Sequence, residues 1–133
     1  MTYLIDSDWV ADFLKGRTDA RALLRELAPS GLAVSVVTYA EILEGINYGG
    51  DPERHRQSFQ QFLRFVDIVG LEVVEFERFA SVRGQVRRTG QIIGDLDILI
   101  GVTAVEHGLT LVTRNIRHFN RIPSLVVHEV ENK

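Results

Sequence analysis

The stretch YLIDSDWVADFL, residues 3–14, contains the start of the fold and the first functional clue. Its opening apolar run predicts a short buried strand, and the apolar spacing after Ser7 predicts a helix. Asp6 and Asp8 lie where the strand gives way to the helix. A carboxylate at the end of a buried strand either caps the next helix or forms part of a metal site, so the rest of the chain must distinguish these roles.

The composition indicates one ordinary globular domain covering residues 1–133, with 45% hydrophobic residues and a formal net charge of −3. That charge is not typical of a protein that coats nucleic acid by bulk attraction. The absence of cysteine excludes a disulfide framework and a thiolate metal site. No apolar run is long enough to cross a bilayer and the N-terminus does not resemble a signal peptide, so we expect a cytoplasmic protein with no membrane partner.

Strands and helices alternate along the chain, and the strands are continuous apolar runs. The pattern predicts strands at 3–6, 32–38, near 72–74, 109–113 and 125–130, and helices at 7–16, 21–28, 39–47, 52–66, 77–88 and 95–108. Continuous apolar strands that alternate with helices are typical of an α/β protein with a parallel sheet covered on both faces. Functional residues in such folds lie just beyond the carboxyl ends of the strands.

Polar residues occupy several of those positions. They are Asp6 and Asp8 after the first strand, Thr38 and Glu41 after the second, Asp95 and Asp97 at the start of the helix before the fourth strand, and Asn115 after that strand. Carboxylates gathered at one edge repel each other unless they are protonated or share a divalent cation. Oxygen ligands without cysteine or histidine favour Mg²⁺ or Mn²⁺.

Helix capping explains each of these residues when it is taken alone. Asp6, Asp95 and Asn115 fit N-cap positions, Asp97 fits a first helical turn, and Glu41 fits a capping box with Thr38. Their joint placement at strand ends favours the metal site over five separate caps.

Three segments carry a family resemblance: YLIDSDWVADFLKG, VSVVTYAEILEGI and IGDLDILIGVTAVEHGLTLVTRNIRHFNRIPSLVV. They resemble the PIN-domain ribonucleases, specifically the VapC-type toxins of type II toxin–antitoxin systems. The third segment is the most specific, because such toxins commonly carry the run IGxxDxLIAAxAxxxGLTLVTxNxxxFxRIPGL. The match to that run extends from Ile93 to Leu125, and the resemblance covers essentially the whole chain.

The resemblance implies a single PIN-like domain, built as a three-layer α/β/α sandwich with a parallel sheet of strand order 3-2-1-4-5. It implies that Asp6, Glu41 and Asp97 are the catalytic, metal-binding acids. Asn115 lies where many relatives carry a fourth acid, so a second metal ion is in doubt. Thr113 beside it and Asp95, as a source of extra charge, are further candidates.

The implied function is an endoribonuclease toxin that uses Mg²⁺ or Mn²⁺ to hydrolyse RNA phosphodiester bonds. The implied partners are an RNA substrate, a small cognate antitoxin and a second copy of the chain. We expect exposed apolar surface on the helices around 10–27 and 38–66 to serve the two protein contacts.

Two alternatives remain open from the residues alone. A haloacid-dehalogenase-like phosphatase would use Asp6 as nucleophile and Asp8 as acid/base, but it also needs a lysine and a late GDxxxD motif, where this chain has Leu99 at the last position. A non-enzymatic, receiver-like binding module with an aspartate pocket would need an acceptor aspartate after the third strand and a lysine after the fifth. The sequence supplies neither.

Overall fold

The computed structural model describes residues 1–129, and this part of the chain contains five strands. They are β1 (Tyr3–Ile5), β2 (Leu32–Ser35), β3 (Val66–Val69), β4 (Thr110–Val112) and β5 (Val126–Val127). The strands form one parallel sheet in the order β3-β2-β1-β4-β5. The predicted sheet and its strand order are confirmed.

Helices connect the strands and cover the sheet. They are α1 (Ser7–Leu14), α2 (Thr18–Leu27), α3 (Val36–Asn47), α4 (Pro52–Phe62), α5 (Val73–Arg88), α6 (Asp95–Glu106) and the short α7 (Ile116–Phe119), with a 3₁₀ turn at Ala28–Ser30. None of the helices within residues 1–129 is both long enough and apolar enough to span a bilayer.

Two apolar cores lie on opposite faces of the sheet, because successive strand side chains point to opposite sides. In β1, Leu4 packs with α5 and α6, whereas Ile5 packs with α1, α2 and α4. In β4, Leu111 and Val112 divide in the same way. The result is the predicted α/β/α sandwich, and it places Asp6 at the carboxyl end of the central strand.

The boundary between β2 and α3 differs from the prediction. The β-branched run at 36–38 favours a continuation of the strand, but α3 begins at Val36. Ser35 is its N-cap, and its Oγ accepts a hydrogen bond from the Thr38 N–H at 3.0 Å. The predicted capping box between Thr38 and Glu41 is therefore wrong, since Glu41 lies beyond the first turn and is available for another role.

The region of the third strand also differs. The predicted strand near 72–74 is wrong, because β3 lies at Val66–Val69, at the end of a predicted helix, and α5 begins at Val73. Glu72 is the N-cap of α5, and its N–H donates to Glu75 Oε2 at 2.9 Å. The last strand is shorter than predicted, and residue 130 of that prediction lies outside the described residues.

Candidate active site

Asp6 is the most deeply placed acid at this edge of the sheet, with only 6% of its surface exposed. It is the N-cap of α1, and its Oδ1 accepts a hydrogen bond from the Ser7 N–H at 2.8 Å. Burial raises the pKa of Asp6 to about 6, despite hydrogen bonds from Thr113 and Ser7 that lower it, and the charges of Asp97 and Asp8 raise it further. Asp6 therefore does cap α1, as one of the two roles considered for it requires. Capping alone does not explain why the carboxyl group is buried beside other acids.

The loop after β4 holds the second oxygen of Asp6. The Thr113 hydroxyl donates to Asp6 Oδ2 at 2.6 Å, and the Asn115 N–H donates to Thr113 Oγ1 at 3.0 Å. The Asn115 side-chain nitrogen lies 2.9 Å from His118 Nδ1. Thr113 and Asn115 thus belong to one hydrogen-bonded chain that ends on Asp6, and Asn115 is also the N-cap residue of α7.

Glu41 reaches the same edge from α3 through Ser7. The Ser7 hydroxyl donates to Glu41 Oε1 at 2.7 Å and lies 3.2 Å from the Thr38 hydroxyl. Ser7 therefore contacts two acids, Asp6 through its N–H and Glu41 through its Oγ. Ser7 thus connects the end of β1 to Glu41 of α3, which lies more than thirty positions later in the chain.

Asp97 lies in the first turn of α6, as predicted, and its side chain belongs to the same electrostatic cluster. Burial raises its pKa, the charge of His118 lowers it, and the charge of Asp8 raises it again. Asp8 acts on both Asp6 and Asp97, so it is an additional acid of the site.

Within the described residues, the acids of this cluster lack the arginine partners that other acids of the protein have. Among the described residues, no lysine or arginine forms an ion pair with Asp6, Asp8, Glu41 or Asp97. Asp95, by contrast, pairs with Arg83 of α5 at 2.8 Å and is exposed. The structure therefore separates Asp95 from the cluster.

The donor set fits a hydrated divalent cation. Asp6 and Asp97 have raised pKa values and form no ion pair with lysine or arginine, so a bound cation would stabilise their ionised forms, and oxygen-only donors suit Mg²⁺ or Mn²⁺. Within residues 1–129, however, no three acidic or imidazole side chains lie close enough to form a ready-made three-residue ligand set. The arrangement thus fits an ion that retains several waters, as Mg²⁺ usually does, and not one enclosed by protein ligands.

A groove of about 450 Å³ opens beside the acids. Its polar lining includes Ser7, Asp8 and Glu41 of the acidic cluster together with Lys15 and His55. Apolar side chains of α1 and α3 also line the groove: Ala11, Leu14, Ile42 and Ile46. The groove connects the acidic cluster to an apolar surface of the size that a peptide segment can fill.

Exposed apolar side chains lie mostly outside the predicted helices. Within 10–27 the large apolar residues are buried or half-buried, although Leu14 lines the groove; within 38–66, Tyr48 and Phe65 are exposed. The exposed ones include Phe65 just before the edge strand β3, Ile68 within it, and Val73, Val74 and Phe76 at the start of α5. We call these five residues the β3 patch.

Three contributors to the site do not follow from the sequence pattern: Ser7, Asp8 and His118. Asp8 is among the polar residues at the strand ends, but the family resemblance does not carry it over as a metal-binding acid. Ser7 and His118 carry no distinctive spacing, and their roles arise from contacts between distant segments. Their adjacency to Asp6 and Asn115 is the only signal that the sequence offers.

Comparison with known proteins agrees with the geometry. The profile of the PIN domain family, described as "PIN domain", matches residues 3–125. Ribonuclease VapC2 of Rickettsia felis is 27% identical over 96% of this chain and 96% of its own length. Ribonuclease VapC19 of Mycobacterium tuberculosis is 32% identical over 92% of this chain and 95% of its own length.

A solved structure shows the same fold. The crystal structure of VapBC2 from Rickettsia felis, bound to a DNA fragment from its promoter, contains a chain that superimposes with a TM-score of 0.90 and 26% identity. The superposition covers 98% of this chain and 100% of that one.

Proposed function

Because the chain belongs to the PIN-domain family and, within it, to the VapC-type ribonucleases, we propose that it is a Mg²⁺- or Mn²⁺-dependent endoribonuclease toxin. The observation that carries the proposal is the cluster of Asp6, Asp97, Asp8 and Glu41, which forms no ion pair with a lysine or arginine among the described residues and contains a carboxyl group with a pKa of about 6. Such a cluster is stable in its ionised form at neutral pH when a cation is bound.

Asp6, Glu41 and Asp97 are the proposed metal-binding and catalytic acids, each brought to the site by a different element. Asp6 is held at both oxygens, by Ser7 and Thr113, and each oxygen retains a lone pair for a cation or its water. Ser7 orients Glu41. Asp97 is half-buried in the first turn of α6, and Asp8 adds negative charge at the mouth of the site.

A bound Mg²⁺ or Mn²⁺ would supply a hydroxide nucleophile at neutral pH and would offset charge on the phosphate oxygens. The contribution of the chain is to gather the acids and orient them toward that ion, whose charge would favour their ionised forms. Asn115 is neutral, which supports one ion and gives no support for a second.

RNA cleavage tests the proposal. Total bacterial RNA incubated with the purified protein should be cut in Mn²⁺ but not in EDTA, leaving 5′-phosphate and 3′-hydroxyl ends that adapter ligation detects. Asp6→Asn should abolish cutting. The matched control Asp95→Asn should cut like the wild type, because Asp95 is exposed and paired with Arg83. Cutting that persists in EDTA or in the Asp6 variant contradicts the proposal.

A small antitoxin is the proposed partner of the groove. A segment with apolar side chains and one cationic residue would fill the apolar lining and place its positive charge among the acids. Gly45 lines the groove, and a Cβ added there would meet no atom within 4 Å. A Cβ at Gly84 on α5, which does not line the groove, would also meet no atom within 4 Å. Gly45→Arg should therefore block capture of the product of the adjacent open reading frame, whereas Gly84→Arg should not. Equal capture by both variants would place the antitoxin elsewhere.

Self-association is proposed through the β3 patch. Phe65 and Val73 are 80% and 73% exposed, which is high for large apolar side chains grouped together. Val73→Glu should shift the protein toward monomer in sedimentation. The control Ile92→Glu, at a residue outside the patch that is 82% exposed, should leave the oligomeric state unchanged. A wild-type monomer at all concentrations contradicts this part of the proposal.

The two alternative functions have lost their support. A receiver-like module has the strand order 2-1-3-4-5, which differs from the order 3-2-1-4-5 observed here. The phosphatase hypothesis rested on Asp6 and Asp8 alone, and the family match over 3–125 replaces it.

A further inference from the structure

Arg114 lies at the junction of three elements. Its guanidinium stacks on the Trp9 ring of α1 at 3.7 Å from the ring centroid. One of its terminal nitrogens lies 2.8 Å from Asp12 Oδ2 on α1 and 2.9 Å from Asp19 Oδ2 on α2. A single side chain of the loop after β4 therefore fixes that loop to two helices.

The residues on either side of Arg114 belong to the active site. Thr113 donates to Asp6 Oδ2 at 2.6 Å, and the Asn115 N–H donates to Thr113 Oγ1 at 3.0 Å. Thr113 is buried with 1% of its surface exposed, whereas Arg114 is exposed. The backbone at this point thus directs one side chain inward to the acids and the next outward to α1 and α2.

The contacts of Arg114 need an arginine. A planar guanidinium stacks on an indole while its N–H groups bond two carboxylates, and a lysine ammonium makes no comparable set of contacts. The same contacts occupy the charge of Arg114 with Asp12 and Asp19, and within the described residues Arg114 forms no ion pair with Asp6. This arrangement does not suit an arginine that binds RNA phosphate.

We propose that Arg114 is a positioning residue that holds Thr113 against Asp6 and so fixes the orientation of the Asp6 carboxylate toward its cation. The inference rests on the proposed metal site. Loss of Arg114 frees the 113–115 segment, and Thr113 then no longer holds Asp6 Oδ2 in one place. Residues that orient a metal ligand from outside typically change metal affinity 10- to 100-fold when they are replaced.

The test compares Arg114→Met and Arg114→Lys with the matched control Arg17→Met. Arg17 pairs with the same Asp12, at 3.3 Å, but belongs to the connection between α1 and α2. We expect about tenfold weaker Mn²⁺ binding without RNA for Arg114→Met, a smaller loss for Arg114→Lys, and no change for the control. In RNA cleavage, kcat should fall while KM stays constant.

Two readouts do not depend on the metal. Trp9 is the only tryptophan, so its fluorescence should change when the stacked guanidinium is removed. Hydrogen exchange of the Asn115 amide should become faster, because its acceptor Thr113 is released. Arg114→Lys retains the positive charge, so it can still be compared with the wild type and with Arg17→Met if Arg114→Met does not fold.

Other results would overturn the inference. A raised KM with unchanged Mn²⁺ affinity would make Arg114 an RNA contact. A lower melting temperature with unchanged Asn115 exchange and unchanged Mn²⁺ affinity would make it a structural residue only. If the wild type itself binds no Mn²⁺, the proposed function fails, and unchanged Asn115 exchange would then independently exclude the positioning role.

Discussion

Replacing Asp6 by asparagine should stabilise the metal-free protein at neutral pH while abolishing RNA cleavage. The carboxyl group is 6% exposed and its pKa is raised from 3.8 to about 6. The folded state therefore disfavours the ionised form. A neutral amide of the same shape removes that cost. Its oxygen can still accept the hydrogen bond from the Ser7 N–H, but its NH₂ group replaces the oxygen that accepts from Thr113, so the Thr113 hydroxyl must turn to accept from the amide.

The magnitude follows from the shift in pKa. Two pKa units correspond to about 3 kcal/mol of folding free energy above pH 6. Replacing the charged acceptor at the Thr113 hydroxyl by an amide donor, with the hydrogen bond reversed, costs about 1 kcal/mol, and asparagine caps a helix about as well as aspartate. The expected net gain for Asp6→Asn is thus about 2 kcal/mol at pH 7.5 in EDTA.

The change of stability with pH that Asp6 causes is opposite to the usual behaviour of an aspartate. Between pH 4 and 6 the unfolded chain releases the Asp6 proton while the folded chain keeps it, so wild-type stability falls as pH rises through this window. The variant has no such group. The difference between the two proteins should therefore grow from near zero at pH 4 to its full value by pH 7.

Urea unfolding at pH 4, 5, 6 and 7.5 in EDTA measures this difference directly. Added Mg²⁺ should reduce the difference in unfolding free energy between the two proteins at pH 7.5, because only the wild type is expected to bind the ion tightly. A ligand at one hundred times its Kd adds about 2.7 kcal/mol to the free energy of unfolding. A variant that is less stable than the wild type at pH 7.5, or a difference that does not change with pH, would refute the reasoning.

Three further changes have expected outcomes. Asp8→Asn should weaken Mn²⁺ binding several-fold in calorimetric titration and raise metal-free stability, because the Asp8 charge acts on its neighbouring acids. Burial raises the pKa of Glu75, but hydrogen bonds from the backbone N–H groups of Glu72 and Glu75 and from the His107 ring outweigh that effect, so the pKa is lowered overall. The ionised Glu75 therefore stabilises the folded protein, and this stabilisation is lost as pH falls below about 4.5. Glu75→Gln should therefore lower the melting temperature at pH 7 and flatten its decline in acid. Gly84→Ala should add about 0.5–1 kcal/mol in urea unfolding, because the new methyl group meets no atom within 4 Å in the middle of α5.

The residues themselves predict the sheet, but not its order. One short apolar run ends at Asp6 and another ends just before Arg114, and both indicate buried parallel strands. Both strands are present, as β1 and β4. The order 3-2-1-4-5 comes from the family resemblance, because nothing in a strand's own residues determines its neighbours. Strand order depends on packing between segments that are distant in the sequence.

The errors have local causes. Val36 and Val37 favour a strand by their β-branched side chains, but the Ser35 cap starts a helix there, and burial of Val37 overrides its intrinsic preference. Residues 72–74 resemble a strand for the same reason, although the bond between Glu72 and Glu75 begins α5.

The sequence predicts the principal acids as candidates, but not their surroundings. Placement at a strand end identifies Asp6, and Asp97 begins a helix that leads into the next parallel strand, so its first turn lies at the same edge as the carboxyl ends of the strands. The contacts that orient Asp6 could not be predicted in this way. The Thr113 hydroxyl bonds Asp6 across 107 positions of sequence, and the Ser7 bond to Glu41 spans 34.

A crystal grown in MnCl₂ and measured at the manganese absorption edge tests most directly whether these acids share one ion. We predict a single anomalous peak at the carboxyl end of β1, bound by Asp6 and Asp97 with water completing its shell and with Glu41 reaching it directly or through water. Asp6→Asn crystals grown in the same solution should lack the peak. A wild-type crystal with no manganese beside Asp6 at millimolar concentration would contradict the metal site.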